Sequence, residues 1–221
     1  MRIEVALPTG TAQVTAAWAQ PEGASRGVVA IAHGAGAGMD HPFLVGFAGA
    51  LRDEGFTTVR FNFPYVEAGR RMPGPAAHAL LTWQAVVERA RQEEPGSRIW
   101  ACGKSYGGRM ASMAAGEGVE VDGLIYLGYP LHPPGRPEKP RVEHLPAVVP
   151  PQLFVEGTND PFVQPLEQLE EAVRSCRDAR IAWIEGGGHS FEVKGRRRAA
   201  QDVGASLAPV VSEFIAEVEL R

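Results

Sequence analysis

The sequence predicts an α/β protein: a mostly parallel sheet with helices on both faces. Two observations lead there. From residue 27 onward, short apolar runs alternate with helix-length amphipathic segments, and ahead of that alternation one antiparallel strand pair is legible. Strand-helix-strand units of this kind close with right-handed crossovers, so successive strands lie parallel. The 221 residues are 44% hydrophobic and 22% charged, the balance of an ordinary folded domain. No repeat or linker breaks the pattern, and residues 1–221 are read as one domain. Surface scaling buries roughly 70% of the area of an extended chain this long, enough for a core without disulfide or metal staples.

The elements follow in order. Ile3, Val5 and Leu7 alternate with polar or small residues, Pro8-Thr9-Gly10 reads as a turn, and Val14, Ala16 and Trp18 alternate again. This is an antiparallel hairpin on the sheet edge. Residues 28–32, 57–63, 99–102, 124–127, 153–155 and 181–184 are compact hydrophobic runs, as expected of strands buried on both faces. Helical spacing joins Phe43, Leu44, Phe47, Ala48 and Leu51, then Leu80, Trp83 and Val87, and finally Leu207, Val211, Phe214, Ile215 and Val218. Residues 129–151 stand apart. They hold eight of the eighteen prolines and have no periodicity, so this segment is a stiff lid or a wrap.

Charge and cysteine usage exclude several classes. With 22 Lys and Arg against 26 Asp and Glu, the chain has a net charge of −4, which argues against nucleic acid or an anionic membrane as partner. Arg196, Arg197 and Arg198 form one short basic run, read as a solvated loop or helix start. Cys102 and Cys176 are too few for a disulfide framework and lack metal-ligand spacing; Cys102 falls in a predicted strand and Cys176 on a helix. The amino-terminal residues carry Glu4 and no long apolar stretch, and no run approaches a membrane span. The expectation is a cytoplasmic protein.

The strongest chemical signal is Gly103-Lys104-Ser105-Tyr106-Gly107, between the strand at 99–102 and a helical stretch through Met110 and Met113. G-x-S-x-G in this context turns a strand into a helix within a few residues and leaves the serine hydroxyl exposed at the helix's positive end. The bland reading of Ser105 is a helix N-cap. A phosphate-binding loop would need glycine where Arg98 stands, and residues 99–102 are strand. A serine nucleophile also needs a base, an orienting acid and oxyanion donors. Asp160 lies just past the strand at 153–155 and His189 just past the strand at 181–184, each at a carboxyl end, where open sheets place their sites. The structural alternatives are an N-cap for Asp160, ahead of Pro161, and a surface loop for His189. After the strand at 28–32 comes His33-Gly34-Ala35-Gly36-Ala37-Gly38. Met39 occupies the place of the third glycine of a dinucleotide fingerprint, so this loop reads instead as an amide donor. Ala35 and Tyr106 are the candidate oxyanion amides, and His33 the residue that shapes the loop.

Tyr65, Tyr106, Tyr129 and Phe162 fall on loops at the same sheet edge and predict a partly aromatic pocket. The candidate substrate contacts are Tyr65, Tyr129, His132 and Phe162; His132 and His144 either face the pocket or cap turns. Arg109, one turn beyond Ser105, either meets an acidic group of the substrate or anchors a loop.

The elbow GKSYG, the loop HGAGAG, Asp160 and His189 resemble the α/β-hydrolase superfamily over nearly the whole chain, in its order of serine, acid and histidine. Within it, HGAGAGMDHPF, VRFNFPY, GKSYGGRMAS, LGYPLHPPGRPEK, EGTNDPF and GGHSF resemble a small hydrolase-like family that includes the testis-expressed proteins and a chromatin-complex subunit. Dienelactone-hydrolase-like enzymes are a more distant resemblance; they usually carry cysteine where Ser105 stands. The resemblance implies an eight-stranded core with little or no cap and a Ser105, His189, Asp160 triad. The expected activity is hydrolysis of small esters or related acyl compounds without metal or organic cofactor. The competing expectation is a non-catalytic binding module that acts through a partner protein.

Overall fold

Alternate residues of the central strands divide the core into two halves. In the computed structural model, which describes residues 1–221, Val28, Ala30 and Ala32 face one layer while Val29 and Ile31 face the other. The next strands repeat the division: Ala101 and Tyr126 belong to the first layer, Cys102 and Ile125 to the second.

The strands are β1 (Arg2–Leu7), β2 (Gly10–Ala19), β3 (Val28–Ala32), β4 (Thr57–Phe61), β5 (Ile99–Lys104), β6 (Gly123–Leu127), β7 (Gln152–Gly157) and β8 (Ala179–Ile184). They form one sheet in the order β1-β2-β4-β3-β5-β6-β7-β8. The hairpin pairs Ile3 with Val14 and Val5 with Ala12, β2 runs antiparallel to β4, and every later pair is parallel. The helices are α1 (Pro42–Asp53), α2 (Pro64–Glu67), α3 (Ala76–Glu93), α4 (Tyr106–Gly116), α5 (Leu166–Ser175), α6 (Ala200–Ala205) and α7 (Ala208–Glu219). Helices α3, α4 and α5 cover one face and α1, α6 and α7 the other.

Three expectations change. The strand expected over 57–63 stops at Phe61, because Pro64 opens α2 and has no N–H for a ladder. The last strand is half-buried along its whole length rather than buried on both faces, since β8 forms the sheet's far edge. Helix α6 has no counterpart in the apolar pattern. It crosses α1 backbone to backbone: a Cβ on Gly46 would lie 2.0 Å from the Gln201 carbonyl oxygen, and one on Gly204 2.0 Å from that of Phe43.

The proline-rich segment is a wrap. Leu131, Leu145 and Val148 are fully buried in the first core layer, and a 3₁₀ turn at Leu145–Ala147 packs against α4 and α5. The run Arg196-Arg197-Arg198 is an exposed loop ahead of α6. Cys102 is a buried core thiol, and Cys176 ends α5. No helix is long and apolar enough to cross a membrane.

Candidate active site

Ser105 sits between β5 and α4 at φ 47° and ψ −113°, a region that side chains other than glycine rarely occupy. The junction forces that geometry by close approach. A Cβ on Gly103 would lie 2.2 Å from the Gly108 nitrogen, and one on Gly107 2.7 Å from the His33 carbonyl oxygen. The two glycines let the strand, the helix and the end of β3 meet as bare backbone. The strained residue is pinned on both sides: its N–H donates to the Leu127 carbonyl at 3.0 Å, and its carbonyl accepts the Arg109 N–H at 3.1 Å.

The Ser105 hydroxyl donates to Nε2 of His189 at 2.8 Å, and Nδ1–H of His189 donates to Oδ2 of Asp160 at 2.6 Å. The Asp160 side chain is 1% exposed and that of His189 22%. The other Asp160 oxygen accepts the Phe162 N–H at 2.8 Å, so the local turn and the histidine contact use different oxygens of one carboxylate. The two loops that carry acid and base touch through glycine, where a Cβ on Gly157 would lie 2.2 Å from the Gly187 carbonyl oxygen. Phe162 stacks on the His189 ring, with centroids 4.1 Å apart. Burial lowers the His189 pKa below 6.5 and nearby Lys104 adds to this, while the Asp160 contact opposes it. The ring is therefore neutral at pH 7, able to take a proton.

Two residues of this site carry no signal of their own in the sequence. Lys104, the x of G-x-S-x-G, donates from Nζ to the His189 carbonyl at 2.8 Å and clamps the histidine loop to β5; burial brings its pKa to about 8. Glu156, fully buried at the end of β7, accepts the Tyr129 N–H through Oε1, while Oε2 meets no partner. Burial pushes its carboxyl well above the usual range. Such roles need a lysine aimed along a strand and a glutamate below one, which spacing alone does not reveal.

The loop after β3 is held by His33. Its Nε2 accepts the Phe63 N–H at 3.1 Å, which assigns the proton to Nδ1, and Nδ1–H donates to the Gly34 carbonyl at 2.8 Å. Burial lowers the His33 pKa and keeps the ring neutral. The backbone N–H of Ala35 donates to no acceptor of the protein, that of Tyr106 opens α4 and has no acceptor within the helix, and both residues line the cavity that holds Ser105 and His189.

That cavity has a volume of about 670 Å³. Phe162 and Tyr106 line it, but three residues expected there do not. Tyr65 is buried under the loop, its hydroxyl 3.5 Å from both the His33 ring and the Gly34 carbonyl, where it props the backbone from below. Tyr129 turns inward after Gly128 and packs with Tyr126 and Phe154, and its hydroxyl donates to the Arg141 carbonyl at 3.0 Å. His132 is fully buried, with Nδ1–H donating to the Pro133 carbonyl at 2.8 Å. Tyr129 and His132 pack into the interior because the wrap is anchored through them, and Tyr65 does so because it supports the loop after β3. His144 bonds to the Ser112 hydroxyl at 2.7 Å and also stays outside the cavity lining. Arg109 and Arg141 do line it. No three His, Cys, Asp or Glu side chains converge as a metal site would require.

An eight-stranded sheet with a strained serine after β5, an acid after β7 and a histidine after β8 defines the α/β-hydrolase class. The model of the alpha/beta hydrolase domain family matches residues 25–217, and the chain belongs to that family. Solved structures agree on the fold. An alpha-beta serine hydrolase homologue from Coxiella burnetii is 21% identical at a TM-score of 0.73, over 97% of this chain and 96% of that one. XC6422 from Xanthomonas campestris, described as an a/b serine hydrolase without lid, is 24% identical at 0.73, over 97% and 94%. The dienelactone hydrolase of Anabaena variabilis is 20% identical at 0.75, over 98% and 96%.

Proposed function

We propose that the chain is a serine hydrolase of small esters and related acyl compounds, a carboxylesterase-like enzyme working through Ser105, His189 and Asp160. The observation that carries this reading is the unbroken path from the Ser105 hydroxyl through His189 to Asp160, with contacts of 2.8 and 2.6 Å. His189 Nε2 takes the Ser105 proton as Oγ bonds to the substrate carbonyl carbon, and Asp160 orients the ring and stabilises the imidazolium. The unengaged N–H groups of Ala35 and Tyr106 hold the oxyanion. Collapse breaks the bond to the leaving group, which takes the proton from His189. Water then enters, gives a proton to His189 and attacks the acyl carbon, and Ser105 departs with the returned proton as the acid is released. No metal or organic cofactor takes part. The whole chain acts as one hydrolase domain in the cytoplasm, and its motifs resemble those of the small testis-expressed hydrolase-like group.

A fluorophosphonate probe tests the reading. Wild-type protein labels at Ser105, and Ser105→Ala loses both labelling and about 10³-fold or more of its turnover of a short activated ester. A folded wild-type protein that does not label, or labelling that survives Ser105→Ala, would leave the fold as a binding module instead.

A further inference from the structure

The cavity holding Ser105 is lined by four cationic side chains, Lys104, Arg109, Arg141 and Arg198, against one carboxylate, Glu192. Two of the cations are committed elsewhere: Lys104 to the His189 carbonyl, and Arg198 to Ser206 and the Asp202 carbonyl. The other two have no partner. The seven arginine–carboxylate ion pairs of the protein and the His189–Asp160 contact use other side chains, and Arg109 Nε is buried without any acceptor. Neither guanidinium lies over an aromatic ring, as those of Arg26 and Arg180 do. Arg109 stands four residues after Ser105 on α4, one helical turn on and on the same side. Arg141 comes from the proline-rich wrap, whose backbone is fixed there by the Tyr129 hydroxyl on its carbonyl and by its own N–H on Leu131. The two charges press on each other: burial first, then Arg109, makes Arg141 less basic than usual. Glu192 bears on Lys104 and His189 and not on Arg141.

A buried guanidinium donor left without an acceptor, as at Arg109 Nε, is costly, and a second like charge facing the same cavity raises the cost. A carboxylate between them satisfies both, because its two oxygens match the planar fork of arginine. We infer that Arg109 and Arg141 form an anion subsite, and that the substrate is an ester carrying a free carboxylate, of the half-ester kind, with the charge held about one helical turn from the scissile carbonyl. This inference rests on the serine hydrolase reading and names the substrate class for that site.

The test compares 4-nitrophenyl half-esters of adipic and suberic acid with the neutral hexanoate and octanoate. In wild-type protein kcat/KM favours the half-esters, and the preference falls as salt is raised. Arg109→Ala and Arg141→Ala each reduce the ratio of half-ester to neutral-ester kcat/KM by about 10- to 100-fold, the range of a charge-assisted hydrogen bond, and Arg109→Lys restores part of it. A wild-type enzyme that favours the neutral esters, or a ratio that neither alanine variant moves, overturns the inference. Should one variant fail to fold, the other and the salt dependence decide. Calorimetric titration with adipate reads the subsite without turnover. Binding should weaken about tenfold or more in the Arg109→Ala/Arg141→Ala double variant, and adipate that does not bind wild type, or binds both alike, removes the subsite. Loss of fluorophosphonate labelling with adipate binding intact would instead remove the hydrolase reading and leave the subsite standing.

Discussion

Replacing Asp160 by asparagine separates orientation from charge with little change in shape. Oδ1 of Asp160 accepts the Phe162 N–H at 2.8 Å, so the asparagine must keep its oxygen there and turn its NH₂ toward His189. Nδ1 of His189 then becomes an acceptor, the proton moves to Nε2, and Nε2–H points at the Ser105 hydroxyl it should deprotonate. Restoring the productive tautomer sets N–H against N–H in a site where the Asp160 side chain is 1% exposed, at about 1–3 kcal/mol. The imidazolium of the transition state also loses its charged partner, about 3 kcal/mol more. Together these predict a fall in kcat/KM of about 10³- to 10⁴-fold on a neutral activated ester. The assay is steady-state hydrolysis beside the rate of fluorophosphonate labelling, which falls in parallel, with near-ultraviolet circular dichroism to show that the Phe162 turn is intact. A folded Asp160→Asn protein that keeps more than about a tenth of wild-type activity would mean that Asp160 does not orient His189.

Two further outcomes follow from the buried charges. Burial and Lys104 hold the His189 pKa below 6.5, so the acid limb of the kcat/KM profile lies below pH 6.5; Lys104→Met removes one of these effects and moves the limb upward. A pH profile on a neutral ester checks both, and a limb that stays put in the variant removes Lys104 from the argument. Glu156 binds its proton more tightly folded than unfolded, so its contribution to stability is complete below its ordinary pKa of 4.5 and is lost as pH rises toward the raised folded value. Glu156→Gln keeps the acceptor for the Tyr129 N–H and cannot ionise, so its urea midpoint holds up better than that of wild type between pH 5 and 8. A gap between the two proteins that is constant with pH contradicts this account.

The sheet and the three central site residues were legible because their signals are local. Strands buried on both faces read as unbroken apolar runs, and the elbow needs glycine at 103 and 107 whatever the rest of the chain does. The histidine and the acid were found by position after a strand, which the parallel topology turns into proximity. Pocket-lining residues were harder. Tyr65, Tyr129 and His132 stand on the correct edge in sequence, yet their side chains turn inward to hold the loops, and only packing decides between the two directions. Arg141 was hidden for the opposite reason: one of five charged side chains in a proline-rich stretch looks solvated until a turn of backbone brings it to the cavity that Arg109 also lines. The crossing of α1 and α6 left no apolar stripe to read, because glycine makes it.

The wrap from Tyr129 to Pro151 gives the molecule a division of labour. Ser105, Asp160 and His189 stand just past strand ends that the whole sheet holds in place, whereas Arg141 stands on a long connection outside the sheet. Exchanging that connection would alter what the cavity accepts while leaving the reacting groups where they are. Changes confined to that one stretch of chain between β6 and β7 would therefore reshape the cavity without moving the side chains that the sheet positions.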